Sequence, residues 1–122
     1  MKFVKNAWYV AGWSKEFRRE LHKVKILEED ILMYRNSKDR VVALHDRCPH
    51  KLLPLSMGRL LDDDVQCGYH GTVFGPDGQY RRIPGQNRIP PTVCVRSYPV
   101  CERYNVVWIW MGDPNKAQTD EI

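Results

Sequence analysis

Apolar residues in this chain are grouped in short runs, which polar or glycine- and proline-containing turns separate. The clearest runs are residues 8–11, 31–34, 41–44, 92–98 and 106–111, and they contain many β-branched and aromatic side chains. Runs of this length and composition predict β-strands. No stretch has the sustained 3.6-residue periodicity of a long amphipathic helix. The pattern therefore predicts an all-β domain built from many short strands.

Polar turns join several of these runs into predicted β-hairpins. The turns lie at residues 28–30, 62–64 and 75–78, and the first two are acidic. The third ends in Asp77-Gly78, a strong hairpin signal because glycine adopts positive φ without steric cost. An isolated acidic triplet such as residues 62–64 is more typical of a solvated turn than of a metal site.

Three segments are not predicted to be strands. Residues 14–17 are expected to form one helical turn, with Ser14 as its N-cap. Residues 83–91 contain three prolines and a glycine, which predicts an irregular loop. Residues 113–122 are polar and mixed in composition, as a linker would be.

Size and charge restrict the kind of protein. The chain has 122 residues and a net charge of +4, so it fits one domain with a modest core. Its only adjacent basic pairs are Arg18-Arg19 and Arg81-Arg82, which argues against a nucleic-acid interface. No run approaches the roughly 18 apolar residues of a membrane span. The first residues show no apolar signal-peptide core, so we expect a cytoplasmic location.

Two mixed cysteine–histidine motifs dominate the candidate chemistry. They are Cys48-Pro49-His50 and Cys67-Gly68-Tyr69-His70, followed by Gly71. Thiolates are soft ligands that suit iron–sulfur clusters and zinc, and imidazole suits iron, zinc and copper. Two cysteines with two histidines form the ligand set of a Rieske centre, in which histidines replace cysteines on one iron of a [2Fe–2S] cluster.

A structural Cys2His2 zinc module is the main alternative, and ordinary loop histidines with packed thiols are the other. Structural zinc sites usually pair like with like, whereas each motif here is mixed. Two such loops facing each other can place both sulfurs on one metal and both imidazoles on a second. A two-metal cluster explains that arrangement better than a single tetrahedral ion.

The motifs resemble those of Rieske non-haem iron oxygenases. The segments that carry the resemblance are C-P-H-K-L-L-P-L-S-x-G at residues 48–58 and V-Q-C-G-Y-H-G-T-x-F-x-P-x-G at residues 65–78. It is greatest with oxygenase components that demethylate or hydroxylate aromatic acids, such as the vanillate and dicamba demethylases. It extends to residues 3–11 and 106–114 and therefore covers nearly the whole chain.

This resemblance implies a fold and a ligand set. The fold is the Rieske (ISP-type) antiparallel β-sandwich over residues 1–112, with a small cluster-binding subdomain, and residues 113–122 lead toward a catalytic domain. Cys48 and Cys67 would bind the inner iron, and His50 and His70 would bind the outer one. Gly68 and Gly71 are expected to allow tight turns around the cluster.

It also implies a role in electron transfer. The cluster would receive electrons from a reductase or ferredoxin and pass them to a mononuclear non-haem Fe(II). That iron is held in the catalytic domain of the same or a neighbouring subunit, in a homotrimer. The remaining histidines, His22 and His45, supply no second ligand set, so we expect this chain to transfer electrons without hydroxylating a substrate. A free-standing Rieske-type ferredoxin is the alternative.

Positions around the motifs add two expectations. Respiratory Rieske proteins carry two hydroxyl side chains near the cluster, at the positions where this chain has Thr72 and Phe74. Phenylalanine donates no hydrogen bond, so we expect a reduction potential at the low end of the Rieske range of about −150 to +300 mV. The disulfide that ties their two loops has no counterpart here. Cys94 and Cys101 are therefore expected to be free thiols, buried or half-buried.

Overall fold

The computed structural model describes residues 6–47, 54–68, 72–82, 94–119 and 122. The described strands are β1 (Ala7–Trp13), β2 (His22–Ile26), β3 (Glu29–Arg35), β4 (Val41–His45), β5 (Arg59–Leu61), β6 (Asp64–Gln66), β7 (Val73–Phe74), β8 (Tyr80–Arg82), β9 (Val100–Arg103) and β10 (Val106–Met111). Short 3-10 turns span Ser14–Glu16, Leu55–Met57 and Pro114–Lys116.

These strands form three antiparallel sheets. A first sheet has the order β1-β10-β9, a central sheet β2-β3-β4, and a small sheet β5-β6-β7-β8. Every described pair of neighbouring strands is antiparallel. The prediction of an all-β antiparallel sandwich with a small subdomain is therefore confirmed.

The central sheet is buried on both faces, which explains the continuous apolar run in β3. Because side chains alternate along a strand, Ile31 and Met33 point to one face and Leu32 and Tyr34 to the other. All four are 0% exposed. The first pair belongs to a core shared with the first sheet, and the second pair to a core shared with the small sheet.

The second of these cores leads directly to the candidate site. It joins Leu32 and Tyr34 of the central sheet to Val65 and Phe74 of the small sheet, and Cys67 packs in the same cluster. The predicted ligand Cys67 is therefore anchored by the apolar contact between two sheets.

The C-terminal segment packs against tryptophans of the first sheet. Trp8 and Trp110 form an edge-to-face pair with ring centroids 5.4 Å apart. The Trp110 indole N–H donates to the carbonyl of Asp113 at 2.7 Å, and that of Trp8 donates to the carbonyl of Gln118 at 2.8 Å. The segment predicted as a linker is thus held on the domain surface up to at least Gln118.

Two local predictions are wrong because tertiary contacts decide these positions. The turn between β2 and β3 is Leu27-Glu28, both at positive φ (50° and 66°), so the predicted turn residues Glu29 and Asp30 belong to β3. The 3-10 turn begins at Ser14, and its N-cap is Trp13 rather than Ser14. Ser14 N–H instead donates to the carbonyl of Asn105 at 2.8 Å.

A strand was also predicted at residues 92–98, but the described part of this segment, residues 94–98, forms no continuous strand. Residues 94–98 make isolated bridges, Cys94 with Gln79 and Ser97 with Leu44. This segment changes partner from the small sheet to the edge of β4, so no continuous ladder forms. Strand β9, which follows it, was not predicted.

Arg35 ties the central sheet to the first sheet. Its guanidinium donates two hydrogen bonds to the carboxylate of Glu102, at 2.7 and 2.9 Å, and others to the carbonyls of Ser14 and Phe17. The hydrogen bonds from Arg35 hold the pKa of Glu102 below its usual value. The side chain of Arg35 is only 12% exposed, so loss of this partner is unfavourable.

We expect Glu102→Gln to lower the free energy of unfolding by about 1 kcal/mol at pH 7, since Glu102 is 35% exposed and partly screened. The stabilisation is present above the unfolded-state pKa of about 4.3 and is lost as the pH falls through the lower folded-state pKa. Urea unfolding at pH 7 and at pH 3 measures the difference in free energy of unfolding between wild type and Glu102→Gln. This difference should be smaller at pH 3. Exposed Glu20→Gln is the control, and an equal loss in both variants would contradict the prediction.

Candidate metal centre

A buried carboxylate before the first ligand motif is hydrogen-bonded to a serine after it. Asp46, two residues before Cys48, accepts hydrogen bonds from the backbone N–H and the hydroxyl of Ser56, both at 2.7 Å. The Asp46 N–H in turn donates to the carbonyl of Asp30 at 3.0 Å. These bonds bring the two ends of residues 47–55 together. We refer to Asp46 and Ser56 as the loop clamp.

The second ligand motif begins at the end of β6. Cys67 N–H donates to the carbonyl of Thr72 at 2.7 Å, one residue before β7. The β6–β7 ladder ends at the pair Gln66–Val73, immediately before this bond. The ladder thereby positions Cys67 at the end of the small sheet.

Close approach of two backbone segments brings the bases of both loops together. A Cβ atom at Gly58 would overlap the carbonyl oxygen of Gln66 and lie 3.0 Å from its carbonyl carbon. Only glycine allows this separation, because any side chain would push β5 away from β6. Gly58 therefore sets the distance between the end of the first loop and the residue that precedes Cys67.

Cys67 is 1% exposed and borders a small cleft between the loop bases. The cleft has a volume of about 380 Å³, and it is lined by Met57, Gly58, Arg59, Gln66, Cys67 and Gly68. A buried thiolate is costly unless it binds a cation or metal. A buried thiol at the end of the small sheet, beside open space, fits the role of a cluster ligand.

Of the four predicted ligands, the structure places only Cys67. Cys48, His50 and His70 lie outside the described residues, as do Tyr69 and Gly71. The four-residue ligand set consequently remains a prediction from the sequence. The end of the first loop, at Gly58, and the start of the second, at Gln66 and Cys67, do lie side by side, as two loops that share one cluster require.

His22 and His45 lie in strands β2 and β4. The His22 ring packs edge-to-face on Phe17, with centroids 5.2 Å apart, and His45 pairs with Ile31 across the central sheet. Within the described ranges, no three His, Cys, Asp or Glu side chains gather as metal ligands do. In the same ranges, no helix is long and apolar enough to cross a membrane.

Thr72 and Phe74, the two positions compared above with respiratory proteins, are both buried, at 5% and 0% exposure. Gly68 lies in a turn, as expected, but no close backbone approach requires a glycine there. A Cβ atom there would meet only the carbonyl oxygen of Met57, at an ordinary 3.6 Å. Gly58, by contrast, is required by close packing against the backbone of Gln66.

The acidic turn at residues 62–64 is more than a solvated loop. Asp62 is exposed, but Asp63 accepts hydrogen bonds from the Ser37 N–H and hydroxyl at 2.6 and 2.8 Å. These bonds lower the pKa of Asp63, with a further contribution from Arg19. Tyr34 also donates its hydroxyl to the carbonyl of Asp63 at 2.8 Å. The turn therefore fixes the small sheet on the central one.

Cys94 and Cys101 are unbridged, as predicted. Their burial differs from the prediction for one of them, because Cys94 is exposed while Cys101 is half-buried. Cys94 lies in the segment that changes partner between sheets, which leaves its side chain at the surface.

We expect native protein to be alkylated by iodoacetamide faster at Cys94 than at Cys101, since exposure controls access to the thiolate. In denaturant without reductant, both should react fully. Mass spectrometry of the modified peptides measures both rates. A disulfide-linked Cys94–Cys101 peptide, or equal native rates, would contradict the prediction.

Three residues at this centre have no predicted role, namely Asp46, Ser56 and Gly58, although Ser56 and Gly58 lie within the motif segment at residues 48–58. The available signal was a carboxylate directly after the apolar strand β4 and a glycine directly before β5. Neither signal identifies its partner, because the contacts to Ser56 and Gln66 join residues ten and eight positions apart in the sequence.

Comparisons with known proteins agree with this geometry. Residues 7–99 match the family model described as "Rieske [2Fe-2S] domain". The toluene-4-sulfonate monooxygenase system iron–sulfur subunit of Comamonas testosteroni is 50% identical over 121 residues, covering 98% of this chain and 35% of that protein. The oxygenase component of dicamba O-demethylase from Stenotrophomonas maltophilia is 42% identical, covering 100% and 36%.

Solved structures give the same result. A crystal structure of apo dicamba monooxygenase superposes with a TM-score of 0.95 at 41% identity, covering 100% of this chain and 38% of that one. Another crystal structure of the same enzyme, with non-haem iron and dicamba, has a TM-score of 0.94. The chain thus spans about a third of the length of these relatives.

Proposed function

Because this chain belongs to the Rieske [2Fe–2S] domain family, and its cofactor is a Rieske cluster, we propose that it delivers single electrons to the mononuclear iron of an oxygenase. The observation that carries this proposal is Cys67, a buried thiol at the end of the small sheet, beside the end of the other ligand loop.

In this proposal the protein's own residues hold the cluster. Cys48 and Cys67 bind the inner iron, and His50 and His70 bind the outer one. When bound, the cluster supplies a one-electron redox couple. The loop clamp and Gly58 hold the described ends of the two loops close together, and Cys67 packs in the apolar core between the central and small sheets.

The partners are also part of the proposal. A reductase or ferredoxin would supply electrons, and a catalytic domain of the same or a neighbouring subunit would receive them, in a homotrimer. The relatives named above act on toluene-4-sulfonate and dicamba, so we propose an aromatic compound as the substrate of the whole oxygenase. The unbridged cysteines Cys94 and Cys101 support a cytoplasmic location.

Spectroscopy of the purified chain tests this function. We expect two irons and two sulfides per chain, visible absorption that bleaches on reduction with dithionite, and the EPR signal of a reduced Rieske centre. A colourless protein with one zinc ion would overturn the proposal in favour of a structural zinc module.

A second experiment tests the destination of the electron. The coding sequence beyond residue 122 should encode a domain with a two-histidine, one-carboxylate iron site. In that longer protein, a Cys67→Ser variant should bind mononuclear iron yet fail to turn over an aromatic acid such as vanillate or dicamba. A stop codon directly after residue 122 would instead indicate a free-standing ferredoxin.

A further inference from the structure

Asp46 is a buried charge that the ligand set does not explain. It is 1% exposed, and among the described residues only Asp46 and Thr72 are buried polar or charged side chains. Asp46 lies at the base of the first ligand loop, and Thr72 lies at the base of the second. Elsewhere the described core is apolar, so buried polarity is concentrated around the cluster site.

Burial of a carboxylate is unfavourable unless hydrogen bonds replace its water. Here one residue supplies both bonds: Ser56 donates its N–H to Oδ1 and its hydroxyl to Oδ2 of Asp46, each at 2.7 Å. Charge-assisted hydrogen bonds of this length are among the stronger ones in proteins. The carboxylate is thereby fixed in orientation and protected from water.

We propose that Asp46 is a positioning residue for the cluster. It closes the first ligand loop through Ser56 and places a fixed negative charge two residues from Cys48. This inference rests on the proposed function, since it requires the Rieske cluster. A nearby fixed negative charge disfavours addition of an electron, so Asp46 should lower the reduction potential of the cluster.

The chain contains a matched control for this clamp. Asp63 accepts the same two hydrogen bonds from Ser37, from its N–H at 2.6 Å and its hydroxyl at 2.8 Å. Asp63 lies in the turn between β5 and β6, whereas both ligand loops lie at the other ends of these strands. The same substitution can therefore be made in the same hydrogen-bond motif, near the cluster and far from it.

Removal of the charge tests the electrostatic part. Asp46→Asn keeps the shape of the side chain and an oxygen that accepts from the Ser56 N–H. Protein-film voltammetry of the holoprotein should give a higher reduction potential for Asp46→Asn than for wild type, and no comparable change for Asp63→Asn. Equal potentials in wild type and Asp46→Asn would overturn the inference.

Removal of the Ser56 hydroxyl tests whether the loop clamp positions the first ligand loop. This variant also tests the inference if Asp46→Asn fails to hold a cluster. Ser56→Ala keeps the charge of Asp46 but loses one hydrogen bond to it. Iron release to a chelator such as bathophenanthroline disulfonate, followed by absorbance, should be about tenfold faster, which corresponds to about 1.4 kcal/mol. Release no faster than in Ser37→Ala would refute the role of the clamp.

These results are distinguishable from failure of the proposed function. If the wild-type chain binds no Rieske cluster, the function itself is wrong. If the wild type shows the Rieske spectrum and the Asp46 and Ser56 variants behave like their Asp63 and Ser37 counterparts, only this inference fails.

Discussion

Cys67→Ser is expected to abolish the visible absorption and EPR signal of the cluster. A serine hydroxyl is a much poorer iron ligand than a thiolate, which is soft and deprotonates readily. The substituted side chain stays buried in the core behind the small sheet, so no external ligand can replace it easily. Iron analysis after anaerobic reconstitution should therefore find less than about a tenth of the wild-type content.

Cys94→Ser and His45→Ala are the matched controls, since these residues lie outside the ligand motifs. Both variants should keep the full spectrum. Thermal unfolding of the apoproteins separates loss of a ligand from loss of the fold, because a Cys67→Ser apoprotein should unfold close to the wild-type apoprotein. A fully coloured Cys67→Ser protein would contradict the assignment of Cys67.

Gly58→Ala is expected to have the second largest effect. The added methyl group would collide with the backbone carbonyl of Gln66, and backbone cannot rotate away as a side chain can. Overpacking of this kind costs about 1–3 kcal/mol, and we expect the upper end. Since Gln66 precedes Cys67, the displacement should also lower cluster occupancy. Iron per chain measures the occupancy, and the midpoint of urea unfolding measures the loss of stability.

Gly75→Ala is the control for this substitution within the same small sheet. A Cβ atom there would approach the guanidinium of Arg81, 2.6 Å from its Cζ, but that flexible side chain can move aside. The variant should keep wild-type iron content and lose little stability. If Gly58→Ala binds iron as well as Gly75→Ala does, the spacing of the two loops does not depend on Gly58.

Much of the fold and the candidate site could be predicted from the sequence because the signals are local. Alternation and β-branched runs predicted β1, β3, β4 and β10, since these patterns depend on neighbours within a few residues. Asp77-Gly78 predicted the β7–β8 turn, where Gly78 has a φ of 82°. Each Cys/His motif is likewise local, so its spacing indicated the ligand chemistry without knowledge of which segment packs against it.

Other features were decided only by the tertiary structure. Residues 92–98 have the composition of a strand, yet residues 94–98 change partner between two sheets. Strand β9 has no clear apolar run, yet it pairs with β10. Glu29 and Asp30 belong to β3 although their composition predicts a turn. Pairing with Ile26 and Lys25 across the hairpin outweighs that weak local preference.

The loop clamp and Gly58 show most directly why the sequence alone does not predict how the two ligand loops meet. The sequence determined that two cysteines and two histidines are available to a cluster, and that short strands flank the segments in which they lie. Whether the loops meet depends on the contacts of Asp46 with Ser56 and of Gly58 with Gln66. Such contacts join backbone and side-chain atoms whose separation in space is set by the packing of whole sheets, and no local pattern in one sequence encodes that distance.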